Sequence, residues 1–313
     1  MAPFSIAIIG VGKIARDAHL PVIAGDPSFR LVGVVSRSGV KVEGVPTFAT
    51  PAELYAAAPQ LDAVAICTPP NVRHRLAREA IDAGKHVLLE KPAAPTLAEI
   101  RDLTAHAAER GKIVFAASHS QFHRPVEPAR RRLVGRRLAR VAIEWTEDVR
   151  VWHPGQEWIW EDGNFGVFDT AINALSILAK IAPGPVYVKG GALDYPANRA
   201  TPIAASLVLV SPAAAPGAQL TARFDWRATG AQNWRVDVDA VDGPRLSLIE
   251  GGAKLLVDGR VEAIDATTEY ADVYARFAEL LVRGESVVDG AASQLVADAF
   301  RLCERRIVEP FHW

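Results

Sequence analysis

The chain has 313 residues, half of them apolar, which is enough for two domains with a sizeable core. Lys plus Arg number 35 and Asp plus Glu 36, so the net charge of −1 lacks the basic excess of a duplex binder, and no nucleic-acid partner is expected. The two cysteines, Cys67 and Cys303, lie far apart, which excludes a disulfide scaffold and suits a reducing compartment.

The N-terminus runs directly into an apolar strand pattern with no basic region and long apolar stretch, so no secretory leader is expected. No apolar run is long enough for a bilayer span, and a cytoplasmic protein with no membrane partner is the plain expectation. Short β-branched runs at 5–9, 31–35, 63–67, 86–89 and 113–117 are apolar on successive residues. That pattern predicts parallel strands covered on both faces. Helical stretches separate them. Thr50-Pro51-Ala52-Glu53 and Thr96-Leu97-Ala98-Glu99 each place a capping Thr three residues before a Glu, and the second helix is expected to end near Gly111. Strand and helix in alternation predict an α/β, doubly wound Rossmann fold over 1–120.

The texture changes after residue 120. A short helix at 128–133, a strand at 138–144 and a long aromatic loop at 148–163 lead into a helix at 167–181. Strands are expected at 186–192, 204–209, 220–226, 234–240 and 245–249, with an Ala/Pro-rich hairpin loop at 213–217. Helices at 270–283 and 294–308 close the chain. Residues 121–313 therefore read as an α+β domain with an open, largely antiparallel sheet.

Gly10-Val11-Gly12-Lys13-Ile14-Ala15 follows the first strand and opens the first helix, the context a phosphate-binding glycine loop requires. Gly10 permits the turn, Gly12 permits close backbone approach, and the helix start offers N–H groups to a pyrophosphate. Pro21 should kink or shorten that helix. After the second strand an NAD-selective site would carry an acid. This chain has Ser36-Arg37, a pair able to hold a 2′-phosphate, so NADP is expected alongside NAD.

Glu90-Lys91-Pro92 lies at the C-terminal end of the strand at 86–89, the edge where α/β sheets hold ligands. Residue chemistry leaves Lys91 open between a proton relay and a surface lysine beside a proline turn. Asp169 and Asn173 share a helix face, and the apolar neighbours Phe165, Phe168, Ile172 and Leu175 imply burial, where an Asp requires a partner or a chemical role. Glu147, Trp152 and His153, with Trp145, Trp158 and Trp160, offer the carboxylate, imidazole and indole groups of a sugar site. The same tryptophans also suit core or subunit packing, and Glu147 with His153 also suits a surface pair. His119 and His123 are four apart with nothing to complete a metal set, so no metal is expected, although His119 follows a strand at the Lys91 edge and could meet substrate. The arginines at 130–132, 136, 137 and 140 read as a solvated helix face.

Taken together, Gly10-Val11-Gly12, Cys67-Thr68-Pro69-Pro70, His74, Glu90-Lys91-Pro92 and Gly166 to Asp169 resemble the glucose–fructose oxidoreductase, inositol dehydrogenase and MocA family over essentially the whole chain. Trp152-His153-Pro154-Gly155-Gln156, Trp158-Ile159-Trp160-Glu161 and Phe168-Asp169 with Asn173 are similar to its L-arabinose and D-galactose 1-dehydrogenase subgroup. The resemblance implies Lys91 as the catalytic lysine, with Pro92 often cis, and Asp169 as the helix acid. It implies Gly10, Gly12, Lys13, Ile14, Ser36, Arg37, Thr68, Pro69, Pro70, His74, Glu90 and Lys91 around NADP or NAD, and Glu147, His153, Asn173, His119 and Trp152 around a pyranose. Many members carry His where this chain has Asn173, which argues against inositol-type activity. The implied reaction is oxidation of the anomeric carbon to an aldonolactone, by a homodimer joined through the C-terminal sheet. The alternatives are a sugar- or dinucleotide-sensing regulator on the same scaffold and a dehydrogenase of another sugar or polyol carbon.

Overall fold

The structure, a computed structural model, describes residues 2–265 and 268–313 and contains two compact units. The first unit comprises Met1–His119 with Thr268–Gly290, and the second Ser120–Thr267 with Ala291–Trp313.

In the first unit, strands β1 (Phe4–Ile9), β2 (Phe29–Val35), β3 (Thr47–Phe48), β4 (Ala63–Ile66), β5 (His86–Glu90) and β6 (Val114–Ala117) form a parallel sheet in the order β3-β2-β1-β4-β5-β6. Every residue of β4 and β6 is buried, which is why these runs show no polar alternation. The order reverses between β1 and β4, so the ends of β1, β4 and β5 share the edge at which such sheets hold ligands. Helices α1 (Leu20–Gly25), α2 (Pro51–Ala57), α3 (Pro70–Asp82) and α4 (Leu97–Glu109) alternate with the strands. Thr50 accepts the Glu53 N–H, and Thr96 and Glu99 close a reciprocal capping box. The expected disturbance at Pro21 takes a specific form. Residues 13–25 are helical without a break; Ala15–His19 is a π-helical turn in which Leu20 donates its N–H to the Ala15 carbonyl, and Pro21, which has no N–H to donate, follows directly in α1.

The second unit opens with α5 (Val126–Leu133), β7 (Leu138–Thr146), α6 (Val149–Trp152) and α7 (Phe168–Ile181). Strands β8 (Tyr187–Pro196), β9 (Ala204–Val210), β10 (Ala214–Asp225), β11 (Asn233–Ala240), β12 (Arg245–Ile249), β13 (Lys254–Val257) and β14 (Arg260–Val261) follow. After α8 (Glu269–Arg283), which belongs to the first unit, come α9 (Ala291–Leu302) and β15 (Glu304–Val308). The nine strands run β14-β13-β12-β11-β7-β10-β9-β8-β15. The β10–β7 and β15–β8 pairs are parallel and the rest antiparallel, so the sheet is mixed. Helices α7 and α9 pack together, and Phe168 of α7 touches Phe224 of β10 and Phe300 of α9. In β9, Ala205, Leu207 and Leu209 point into this core while Ser206, Val208 and Val210 face out.

Four sequence expectations change. Residues 213–217 are not a hairpin loop: β10 begins at Ala214 and absorbs the irregular stretch as a register shift between Ala214 and Gln219. The last helix stops at Leu302, because Glu304–Val308 pairs with β8 as a charged edge strand. The short strands β3, β13 and β14 had no pattern long enough to read. Helix α8, read with the second domain, buries Tyr270, Val273, Tyr274, Phe277 and Leu280 in the first unit. Phe277 stacks on Phe29 at 5.9 Å and on Phe115 at 6.1 Å, and Val287 beyond it exchanges backbone hydrogen bonds with Val114 and Ala116. Burying each such ring favours this docking by roughly 1.5–3 kcal/mol.

Candidate functional site

At the ligand edge of the first unit, Gly10 has φ +95°, and a Cβ there would lie 2.9 Å from the Thr68 side chain and 3.1 Å from its backbone nitrogen. Only glycine fits. A Cβ on Gly12 would meet nothing within 4 Å, so the backbone there borders open space, the cradle a pyrophosphate needs. Ala15 is fully buried, which keeps the turn tight against β1. Lys13 is exposed and ion-paired with Asp17, and Ile14 is half-buried. Thr68 at the end of β4 has a buried hydroxyl oxygen with no hydrogen-bond partner among the described residues. An open cradle at Gly12 and an unmatched hydroxyl at Thr68 on one edge fit a dinucleotide. Pro69 and Pro70 then start α3. On that helix His74 reaches Asp102 at 2.7 Å, and Asp102 also binds Arg78.

After β2, the Ser36 hydroxyl accepts the Val40 N–H at 2.9 Å and is 5 % exposed, so it shapes the loop, whereas Arg37 is exposed. Arg73, on α3, was not singled out from the sequence. Although buried, its guanidinium donates to the carbonyls of Thr68, Glu90 and Pro92, tying two ligand-edge loops together. The Lys91–Pro92 peptide is cis.

Glu90 is 2 % exposed, and its side chain points inward. Its Oε1 lies 2.9 Å from His19 Nε2 and accepts the Tyr270 hydroxyl at 2.5 Å, while Oε2 accepts the Lys91 backbone N–H at 3.1 Å. The other His19 nitrogen, Nδ1, is 2.7 Å from the Tyr274 hydroxyl. Burial by itself disfavours both charges of the Glu90–His19 pair. The hydrogen bond and charge of His19 nevertheless hold the Glu90 carboxyl well below its usual range. His19 is raised well above its ordinary value against its own burial, through Cys67, Tyr274 and Glu90. Burial and the adjacent carboxylate push the Tyr270 hydroxyl up. His119 stacks on Tyr270 with centroids 5.2 Å apart, and its Nδ1 lies 3.5 Å from Glu269.

The second unit gathers a different set. Glu147, just beyond β7, is 4 % exposed and accepts two indole N–H groups, from Trp226 at 3.1 Å and Trp234 at 2.7 Å. Trp226 also donates to the Thr170 hydroxyl at 2.9 Å. His153 Nε2 is 3.8 Å from Glu147, and the His153 ring lies 5.2 Å from Trp226. Trp152, 42 % exposed, packs edge-on against Trp234 at 5.1 Å and donates to Gln232. Burial raises the Glu147 pKa although the indole donors and His153 oppose it. Carboxylate, imidazole and an exposed indole face form one cluster, the chemistry that polar and C–H faces of a sugar ring call for.

Asp169 stands beside Thr170 in the first turn of α7 and is 8 % exposed. Gly166, at φ +52°, fixes this entry: a Cβ there would sit 2.3 Å from the Pro202 carbonyl, which accepts the Val167 N–H at 2.8 Å, while the Gly166 carbonyl accepts the Asp169 N–H at 2.8 Å. Asn173, one turn on, is half-buried. Of the loop tryptophans, Trp145 and Trp160 are core residues, while Trp158 packs on the core edge. The sequence reading missed Trp226, Trp234 and Thr170. The only signal for the two tryptophans was their position at the ends of expected strands. In the arginine run, Arg130 pairs with Glu127 and Arg132 with Glu262. Among the described residues no three His, Cys, Asp or Glu side chains gather as a metal site would require, and no helix is long and apolar enough to cross a membrane.

Comparisons with known proteins converge. Residues 4–118 match an oxidoreductase family with an NAD-binding Rossmann fold. The chain is 39 % identical over 322 aligned residues, covering 100 % of both chains, to galactose 1-dehydrogenase of Pseudomonas fluorescens. It is 46 % identical to a solved D-galactose-1-dehydrogenase from Rhizobium etli, with a TM-score of 0.92 over 100 % of this chain and 99 % of that one. KijD10, a 3-ketoreductase from Actinomadura kijaniata solved with NADP, shares the fold at 18 % identity, TM-score 0.80, covering 98 % and 99 % of the two chains.

Proposed function

The chain belongs to the GFO/IDH/MocA family of NAD-binding oxidoreductases, and from that premise we propose that it is an NAD(P)-dependent aldose 1-dehydrogenase acting on D-galactose and L-arabinose. The observation that carries the reading is the buried Glu147 carboxylate clamped by two indoles beside His153 and Trp152, in a chain whose full-length relatives are galactose 1-dehydrogenases.

When bound, the nicotinamide supplies the acceptor for the C1 hydride. The protein's part is to bind the ring and move one proton. Glu147, His153, Trp152, Asn173 and His119 hold the pyranose, the indole covering its C–H face and the polar groups its hydroxyls. Asp169, assisted by Lys91, receives the proton of the anomeric hydroxyl as the C1–O1 double bond forms, and the product is the aldonolactone. Lys13, Ile14, Thr68, Pro69, Pro70, His74 and the Glu90-Lys91 backbone line the cofactor around Gly10 and Gly12. Arg37 receives the 2′-phosphate of NADP, with Ser36 fixing the loop it stands on. D-galactose and L-arabinose differ only at C5, a difference worth about 1–3 kcal/mol in binding, so one pocket serves both. The outer face of the nine-stranded sheet, where Tyr187 pairs with Val210 beside exposed Val208, joins two copies as a homodimer.

One assay tests the reaction: NAD or NADP with a panel of aldoses and polyols, followed by absorbance of the reduced cofactor and by NMR of the product. Reduction with D-galactose and L-arabinose and not with D-glucose or inositol, yielding lactone, is the expected result. In the same assay Arg37→Ala should raise the KM for NADP about tenfold and leave that for NAD unchanged, the loss of one charge-assisted contact. Dinucleotide binding without turnover of any sugar would replace the enzyme reading with a sensor.

A further inference from the structure

The fold places a histidine from the π-helical turn and Tyr270 of α8 on one buried carboxylate, with Tyr274 of the same helix on the other nitrogen of that histidine, and the reaction as outlined uses none of the three. The carboxylate is Glu90, immediately before Lys91. We infer that His19, Tyr270 and Tyr274 are positioning residues for Lys91, acting through Glu90. The inference rests on the proposed dehydrogenase reading only in the role it gives Lys91.

Both Glu90 oxygens are committed. Oε1 is held by His19 and Tyr270, and Oε2 accepts the backbone N–H of Lys91 itself. The carboxylate therefore links the interior of the first unit to the residue whose side chain carries the chemistry. With both ring nitrogens protonated, His19 donates to Glu90 and to the Tyr274 oxygen at once, which orients the ring with no freedom left. The ring is 1 % exposed and sits edge-on to Tyr270 at 5.0 Å and to Tyr274 at 5.7 Å. Cys67 is the other titratable neighbour of His19, and Glu269 and His119 flank Tyr270. Packing alone would be met by apolar groups of this shape, since a buried ion pair is weak evidence for stability. A fully satisfied polar network does something packing does not: it fixes one orientation. Catalytic groups lose about a hundredfold in rate for a misplacement near 1 Å, so the orientation of Lys91 is where such a network acts.

The test compares wild type with Tyr270→Phe, His19→Gln and Leu280→Ala. Tyr270→Phe keeps the ring and removes one hydroxyl. Leu280→Ala loosens the same helix at a fully buried position ten residues beyond Tyr270, and serves as the packing control. The expected result is a fall in kcat of tenfold or more for Tyr270→Phe and His19→Gln, sugar KM and dinucleotide Kd within about threefold of wild type, and a shifted limb of the kcat–pH profile. Leu280→Ala should lower Tm and leave kcat in place. A second readout needs no turnover: the rate at which an amine-directed ester labels Lys91, measured by mass spectrometry, should change in Tyr270→Phe and not in Leu280→Ala. Should His19→Gln not fold, Tyr270→Phe decides alone. Unchanged kcat and labelling in Tyr270→Phe, or changes no larger than those of Leu280→Ala, overturn the inference. A wild type that oxidises no sugar overturns the dehydrogenase reading instead, and the labelling experiment still reads the positioning role.

Discussion

Two buried carboxylates show how placement alone divides similar residues. The contacts of His19 hold Glu90 low against its burial, whereas at Glu147 burial outweighs the indole donors and His153 and pushes the carboxyl up. The Glu90–His19 pair makes a statement about stability against pH. Glu90 is lowered in the fold, so its contribution is present above its ordinary value of 4.5 and is lost as acid is added. His19 is raised, so its contribution is complete below its ordinary value of 6.5 and is lost as pH rises through the folded value. The unfolded chain then binds fewer protons at this site than the fold does above pH 6.5, and stability should fall with rising pH there. Tm measured in steps from pH 5 to 9 should decline above 6.5 in wild type and flatten in His19→Gln. A wild-type curve indifferent to pH in that window would mean that the imidazole is neutral in the fold.

Among the elements, α7 carries the strictest local demand. Its entry depends on Gly166, where both the left-handed backbone and the Pro202 carbonyl exclude a side chain. Gly166→Ala must displace the turn that presents Asp169, and the expected cost is 1–3 kcal/mol of stability. Activity should suffer more than stability: sugar kcat is expected to fall at least tenfold while dinucleotide binding, which belongs to the other unit, is unchanged. Titration followed by NADPH fluorescence alongside sugar kinetics separates the two. A fall in both affinities together would show that the substitution unfolds more than the α7 entry. The glycine was visible in the sequence as part of a motif, but its reason was not, because Thr201 and Pro202 meet it from 35 residues downstream.

For the whole molecule, the nine-stranded sheet carries an exposed apolar stretch where β8 pairs with β9. Val208 is 46 % and Val210 40 % exposed there, with Tyr187 beside them. An isolated Val on a strand is ordinary, whereas three large apolar side chains on adjoining strands are the surface the proposed homodimer would bury. If that face joins two copies, light scattering should give twice the mass of the chain, and Val208→Arg should halve it without loss of secondary structure. Twice the mass persisting in Val208→Arg would place the dimer contact elsewhere.

Composition and local pattern were enough for five of the six Rossmann strands, the two helix caps, the glycine loop, and the α7 helix with its buried acid. Each of these depends on residues within one or two turns of one another, and periodicity or a fixed spacing records them. Lys91 and Asp169 were singled out through strand-end position and resemblance, and their catalytic roles are part of the proposal. What the tertiary structure decided is every partner that arrives from far along the chain. Tyr270 meets Glu90 across 180 residues, Trp226 and Trp234 meet Glu147 across 79 and 87, and β15 pairs with β8 after a helix that belongs to another unit. No local period encodes such contacts. They form because a carboxylate removed from water must find donors, and only the folded chain determines which donors are within reach.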